Sequence, residues 1–337
     1  MILSIESSCD DSSIALTNIG DFKLIKQLKI SQEIEHQKYG GVVPELASRL
    51  HAVTLPKLLE EFKPYFDDIK CLAVTTHPGL SVSLHEGVIM AKSISAFLNV
   101  PIVGVNHLMG HIYSLFIEKS AKLPMIVLLV SGGHTMVLEV SSYKDTKLIA
   151  TTLDDSVGEA YDKVAKMLNL GYPGGPIIEQ MALRGDRNKY TFPVPLANSS
   201  AVAFSLSGLK NAVRLQIEKI GKDITESQKC DIAASFELAV VKHLKQKLKK
   251  IFKQNSIKDF AIVGGVSANR YINSQLNNLC KEFDKTLHQV DLQYTSDNAA
   301  MIGRWGVEAY VNKALQNYQE LSVKPTKKLT IGEGIEL

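Results

Sequence analysis

The sequence predicts an α/β fold in two lobes, and three observations carry that reading. Apolar strand-like runs alternate with helical patterns, as in KCLAVTTHPGL ahead of one helix and IVGVNH ahead of another. Two segments, MILSIESSCDDSSIALT at 1–17 and MIVLLVSGGHTMVLEV at 125–140, share an apolar strand, a small polar turn and a second strand. They read as the opening hairpins of two related lobes. Finally, 337 residues exceed what a single hydrophobic core usually holds.

After the first hairpin, VVPELASRLHAVTLPKLLEEF reads as a helix, with Pro44 at a first helical position and Glu45 favourable in the first turn. KCLAVTTHPGL reads as a buried strand ending at a Pro-Gly turn, followed by a helix from about His85 to Leu98. IVGVNH is another strand and leads into a helix that carries His107 and His111. In the second half, Ser156 to Leu168 and Ala233 to Phe252 have helical periodicity. DFAIVGGVSANRYINSQL reads as strand, glycine turn and helix N-terminus. The stretch after about Val323, KPTKKLTIGEGIEL, lacks apolar periodicity and reads as a loosely held end.

Composition narrows the class. With 45% hydrophobic and 22% charged residues the chain reads as an ordinary globular protein, and a net charge of +3 does not by itself announce a nucleic-acid binder. Cys9, Cys71, Cys230 and Cys280 lie far apart without a CxxC pair, which argues against a thiolate zinc knot and a secreted disulfide scaffold and for a reducing cytoplasm. The start has no basic region and reaches Glu6 after five residues, so no signal peptide is expected. The longest apolar run, Leu123 to Val130, is far short of the ~20 residues that span a bilayer, so no membrane anchor is expected.

Three turns stand at strand carboxyl ends: Ser7 to Ser13, Ser131-Gly132-Gly133, and Gly264-Gly265. Glycine lets backbone N–H groups approach phosphate oxygens, and a helix N-terminus favours an anion. None matches GxGxxG or GxxxxGK[ST], which counts against a Rossmann dinucleotide site and a P-loop, and each alone also fits a plain tight turn. Together their layout resembles the actin, sugar kinase and Hsp70 (ASKHA) superfamily, in which a nucleotide sits between lobes.

His107 and His111 are spaced i, i+4, so on a helix both imidazoles leave the same face and can bind one metal. Asp297, in TSDNAAMIG, is the best third ligand, although a carboxylate just before a helix also fits an N-cap. Leu108 follows the first histidine, so the glutamate of an HExxH protease is missing and proteolysis is disfavoured. Lys242, Lys245, Lys249 and Lys253 cluster along one helix, where a solvated face is the default and a nucleic-acid backbone contact the minority reading.

Nine blocks in order then stand out: IESSCDDS (5–12), YGGVVPELASR (39–49), NHLMGH (106–111), LLVSGGHT (128–135), GEAYDKVAKML (158–168), GYPGGP (171–176), FSLSGLKNAV (204–213), GGVSANR (264–270) and TSDNAAMIGR (295–304). With them the chain resembles the TsaD/Gcp family of tRNA N6-adenosine threonylcarbamoyltransferases. The resemblance implies two duplicated ASKHA lobes: 1–112 with about 298–325, then 113–297, with 326–337 as a tail. It implies His107, His111 and Asp297 as ligands of Fe2+ or Zn2+. It implies Leu129, Val130, Ser131, Gly132, Gly133, Asp162, Gly175 and Asn269 as contacts to a nucleotide-bearing ligand, threonylcarbamoyl-AMP or ATP/ADP. An aspartate such as Asp162 suits ribose hydroxyls, and Asn269 offers both donor and acceptor. Asp11 is the candidate catalytic carboxylate, one methylene shorter than the family's usual glutamate. His77, His85 and Glu86 also depart from the usual pattern.

The implied reaction moves threonylcarbamoyl from its AMP anhydride to N6 of adenosine 37 in tRNAs that read codons beginning with adenine. The implied partners are tRNA, a TsaB-like paralogue of the same fold and a TsaE-like ATPase. An ASKHA-type small-molecule kinase and a nucleotide-gated binding protein are the competing readings; the first needs no histidine pair, and the second lacks an appended peptide-binding domain.

Overall fold

The computed structural model describes residues 1–197, 199, 201–324 and 329–335. In chain order its strands are β1 (Ile2–Glu6), β2 (Asp11–Thr17), β3 (Leu24–Ser31), β4 (Cys71–His77), β5 (Ile102–Asn106), β6 (Met125–Val130), β7 (Thr135–Val140), β8 (Thr146–Thr151), β9 (Asp259–Val263) and β10 (Thr286–Gln289). The helices are α1 (Glu33–Gln37), α2 (Pro44–Glu60), α3 (Ser81–Leu98), α4 (His107–Tyr113), α5 (Val157–Met167), α6 (Gly174–Ala182), α7 (Ser207–Ile220), α8 (Glu226–Gln254), α9 (Arg270–Glu282) and α10 (Ala299–Val311).

They fall into two compact units, Met1–Leu123 with Val140–Thr146 and Val290–Leu337, and Pro124–Glu139 with Lys147–Gln289. The first holds a sheet in the order β3-β2-β1-β4-β5, and the second sheet runs β10-β9-β6-β7-β8. Read from the other edge, the second order is the first repeated, with β6 in the place of β1. The duplication that the two hairpins suggested is therefore a duplication of whole sheets.

In the first unit β1 pairs antiparallel with β2 and parallel with β4, which pairs parallel with β5. Side-chain alternation along β1 divides its two faces. Leu3 and Ile5 join a core with Leu55 and Leu58 of α2 and Val88 and Ile94 of α3. Ser4 faces α10 instead, donating to the Ala299 carbonyl at 2.7 Å. That helix lies close to the sheet because a Cβ at Gly303 would come 2.7 Å from Ser4 Oγ, and one at Gly306 2.7 Å from Ala73 Cβ. In the second unit Ile126, Leu128 and Val130 of β6 build a core with Val164 of α5, Leu209 of α7, Leu244 of α8 and Ile262 of β9.

Pro44 opens α2 as expected. Elsewhere the boundaries move. α3 begins at Ser81, four residues before His85. α8 begins at Glu226 because Thr225 and Gln228 form a capping box there, and the half-polar first turns hid the start from a periodicity reading. The loosely held end needs correction in part: Ile335 is buried, and its N–H donates to Thr146 Oγ1 at 2.7 Å. Residues 325–328, 336 and 337 of that expectation lie outside the described residues. Among the described residues no helix is long and apolar enough to cross a membrane.

Candidate metal centre and nucleotide-contact residues

β5 ends at Asn106, whose side chain accepts from Leu108 N at 2.9 Å and so caps α4. This cap sets His107 at the first helical position, just past the carboxyl end of a parallel strand, and His111 one turn later. Both are buried, His111 completely. Asp297 arrives from the turn before α10. The N-cap reading of Asp297 is corrected: Asn298 is the cap, its side chain accepting from Met301 N at 3.0 Å. The Asp297 carboxylate is thereby left for the histidines.

Asp297 Oδ1 lies 3.2 Å from His111 Nε2 and 3.5 Å from His107 Nε2. One donor atom from each of the three residues falls within 4.8 Å of the others. Two features show that the cluster fits a metal ion. Neither ring nitrogen of the fully buried His111 makes a hydrogen bond of good geometry, although Asp297 Oδ1 stands beside Nε2, and a buried imidazole left so is suited to a ligand's role. His107 has its other nitrogen, Nδ1, 3.2 Å from Glu6 Oε2 and 3.2 Å from Ser8 Oγ, the outer support typical of a ligating histidine.

The electrostatics agree. Burial works against charge on His107, but Asp297 and Glu6 outweigh it and raise its pKa well above the ordinary imidazole value. Burial likewise opposes ionisation of Asp297 and Glu6; His107, joined by His111, holds Asp297 well below the usual carboxylate range, and His107 with Ser8 holds Glu6 below it. The pocket is thus built to hold positive charge. Glu6 itself is fully buried and also receives Ser8 N at 2.6 Å and Thr75 Oγ1 at 2.5 Å. Sequence reading passed over it, although a glutamate closing an apolar strand was the available signal.

Asp11, at the start of β2, sits in the same unit. Burial pushes its carboxyl up to about 6, against the opposing pull of Lys29, whose Nζ lies 2.5 Å from Oδ2. Its Oδ1 is buried without a hydrogen-bond partner.

The expected nucleotide contacts lie in the second unit. Ser131, Gly132 and Gly133 form the turn after β6, whose last residues are the fully buried Leu129 and Val130. A Cβ at Gly132, Gly133 or Gly175 would meet no atom within 4 Å, so backbone there is open to approach. Gly264 is different: its φ is +90°, and a Cβ would come 2.4 Å from the Val130 carbonyl, so this turn requires glycine. Asp162 receives Gly174 N at 2.7 Å, joining α5 to the start of α6. Arg270 N donates to Glu179 Oε1 at 2.8 Å, which ties α6 to the start of α9.

Asn269 is less free than its residue type suggests. Its Oδ1 caps α9 by accepting from Ile272 N at 2.8 Å, and its Nδ2 donates to Glu237 Oε1 at 2.8 Å. Glu237, fully buried on α8, also pairs with Arg187 at 2.7 Å, and that guanidinium stacks on Tyr271 at 3.9 Å. An amide has two Nδ2 hydrogens, and the bond to Glu237 uses one of them. Glu237 and Arg187 carried no motif and were not singled out. On the basic helix, Lys249 pairs with Glu282 at 2.9 Å and Lys245 reaches Gln275 at 3.5 Å, while Lys242 and Lys253 are exposed.

Comparison with known proteins joins these features. The family described as TsaD, tRNA N6-adenosine threonylcarbamoyltransferase, matches residues 23–304. A relative of that name from a Sulfurovum species is 57% identical over 98% of this chain and 99% of its own length. Another from a Nitratiruptor species is 59% identical over 92% of this chain and 94% of its own. Solved structures share the fold at low identity. Full-length HypF in a phosphate- and nucleotide-bound form matches with TM-score 0.61 and 15% identity over 92% of this chain and 46% of its own. An activator of 2-hydroxyisocaproyl-CoA dehydratase from Clostridium difficile, with bound ADPNP, matches with TM-score 0.52 and 14% identity over 94% of this chain and 98% of its own. This chain spans about half of HypF, at 46%, and the likeness shows the ASKHA-type fold alone. Identical to its named relatives at more than half of its positions along almost the whole length, the chain belongs to the TsaD family of tRNA N6-adenosine threonylcarbamoyltransferases.

Proposed function

We propose that this chain transfers the threonylcarbamoyl group of threonylcarbamoyl-AMP to N6 of adenosine 37 in tRNAs reading codons that begin with adenine, and releases AMP. The observation that carries this is full-length identity to relatives of that name, with the His107, His111 and Asp297 cluster assembled. The kinase and binding-protein alternatives account for neither.

In the reaction the N6 lone pair forms a bond to the carbamoyl carbon, the bond from that carbon to the phosphate oxygen breaks, and N6 gives up a proton. An aromatic amine is a weak nucleophile, so positioning and charge stabilisation are the levers available. A divalent ion held by His107, His111 and Asp297 would supply Lewis-acid polarisation, and two imidazoles with one carboxylate suit Fe2+ or Zn2+. Glu6 orients His107 for that task through Nδ1. Asp11, with its carboxyl raised to about 6 and Oδ1 unpartnered, is suited to take the proton near neutral pH. The open backbone at Gly132, Gly133 and Gly175 accommodates the phosphate and ribose, with Asp162 and the remaining Asn269 hydrogen addressing the nucleoside. This reading places the protein in the cytoplasm, with tRNA, a TsaB-like paralogue and a TsaE-like ATPase as partners.

Depletion of the protein followed by nucleoside analysis of total tRNA tests the acceptor. Threonylcarbamoyladenosine should fall as the protein does; an unchanged level would remove the proposed function.

A further inference from the structure

Lys29 belongs to no motif, yet its ammonium meets three groups of the first unit. Its Nζ lies 2.5 Å from Asp11 Oδ2, 3.0 Å from Ser296 Oγ and 2.9 Å from the Asp297 carbonyl. An ammonium has three hydrogens, and here each has an acceptor. The placement follows from strand register. β3 pairs antiparallel with β2, Lys29 stands opposite Ser13, and Asp11 lies two residues along the same face. Neighbouring side chains on this face receive the start of α10 as well: Ala299 N donates to Ser13 Oγ at 3.0 Å, and Ala300 N to Gln27 Oε1 at 3.1 Å.

The sheet face therefore takes up the turn that delivers Asp297, and Lys29 is the charged member of that contact. From this geometry we propose that Lys29 is a positioning residue, fixing with one ammonium both the backbone of the ligand Asp297 and the carboxylate of Asp11. The proposal rests on Asp297 being a metal ligand.

The test is zinc ion titrated into the purified full chain against a chromogenic chelator. Lys29→Met should weaken zinc binding about tenfold or more, the size typical of losing outer support for a ligand. Lys29→Arg, which keeps charge and donors, should recover most of that loss. Lys26→Met is the control on the same strand; Lys26 pairs with Glu61 at 3.0 Å, away from the ligands, and its loss should leave zinc affinity unchanged. Thermal unfolding without metal checks each fold, and Lys29→Gln takes the place of Lys29→Met if the latter does not fold. Unchanged or tighter zinc binding in the Lys29 variants, with binding lost in His107→Ala, would overturn the positioning role alone. A wild-type chain that takes up no zinc would overturn both it and the metal reading.

Discussion

At the scale of single residues, the metal centre has sharp consequences. His107→Ala and His111→Ala should each abolish stoichiometric metal while leaving the protein folded, since each removes one of the three proposed ligands; metal analysis of the purified variants checks this. Glu6→Gln keeps the ligands but removes the carboxylate behind His107, and chelator competition should show metal affinity lower by about 10- to 100-fold. The histidine pair and Asp297 were legible because i, i+4 spacing on a helix is a chemical statement in itself. Asp297 was ambiguous for a physical reason: ligand and N-cap call for the same residue type before a helix, and only backbone geometry awards the cap to Asn298. Asn269 shows the reverse, its residue type promising more hydrogen bonds than its surroundings leave. Asn269→Ala should cost about 1 kcal/mol of stability through the α9 cap. Calorimetry should also show nucleotide affinity weaker by about 1 to 3 kcal/mol if its remaining hydrogen meets the ligand.

Among elements, α10 couples packing to the site. It begins two residues after Asp297 and lies on β1 and β4 through Gly303 and Gly306. Gly306→Val inserts bulk where even a Cβ would be 2.7 Å from Ala73 Cβ, so the helix must lift, at about 1 to 3 kcal/mol. A lowered unfolding midpoint together with weaker metal binding is the expected pair; weaker stability with unchanged metal affinity would show that the helix and the ligand turn move independently. The strands flanking each turn were legible from apolar runs. β3, β8 and β10 were not, and the partly exposed faces of β3 and β10 give no continuous apolar run to read. Lys29 and Glu237 escaped notice for a related reason: their importance comes from strand register and helix packing, which bring together residues 18 to 268 positions apart along the chain.

For the molecule as a whole, buried titratable groups set the pH range in which the fold is most stable. His243 is fully buried and accepts Ser205 N at Nε2, and burial, with Lys247 adding to it, lowers its pKa to about 4 from 6.5. Between those values the unfolded chain binds the proton and the folded chain does not. The contribution is therefore complete above pH 6.5 and lost as pH falls toward 4, at most about 3 kcal/mol. Asp11, raised from 3.8 to about 6, acts in the opposite sense, so the comparison must be between wild type and His243→Gln. Denaturant titrations should show a shallower loss of stability below pH 6.5 in the variant. Above folding stands the reaction. The most direct measurement combines the purified chain and its partner proteins with metal, threonylcarbamoyl-AMP and unmodified tRNA, then digests the tRNA and weighs its nucleosides. The account predicts threonylcarbamoyladenosine and AMP with wild type and neither product above background with His107→Ala; a wild-type mixture that yields no modified adenosine, while a homologous set does so in parallel, would contradict it.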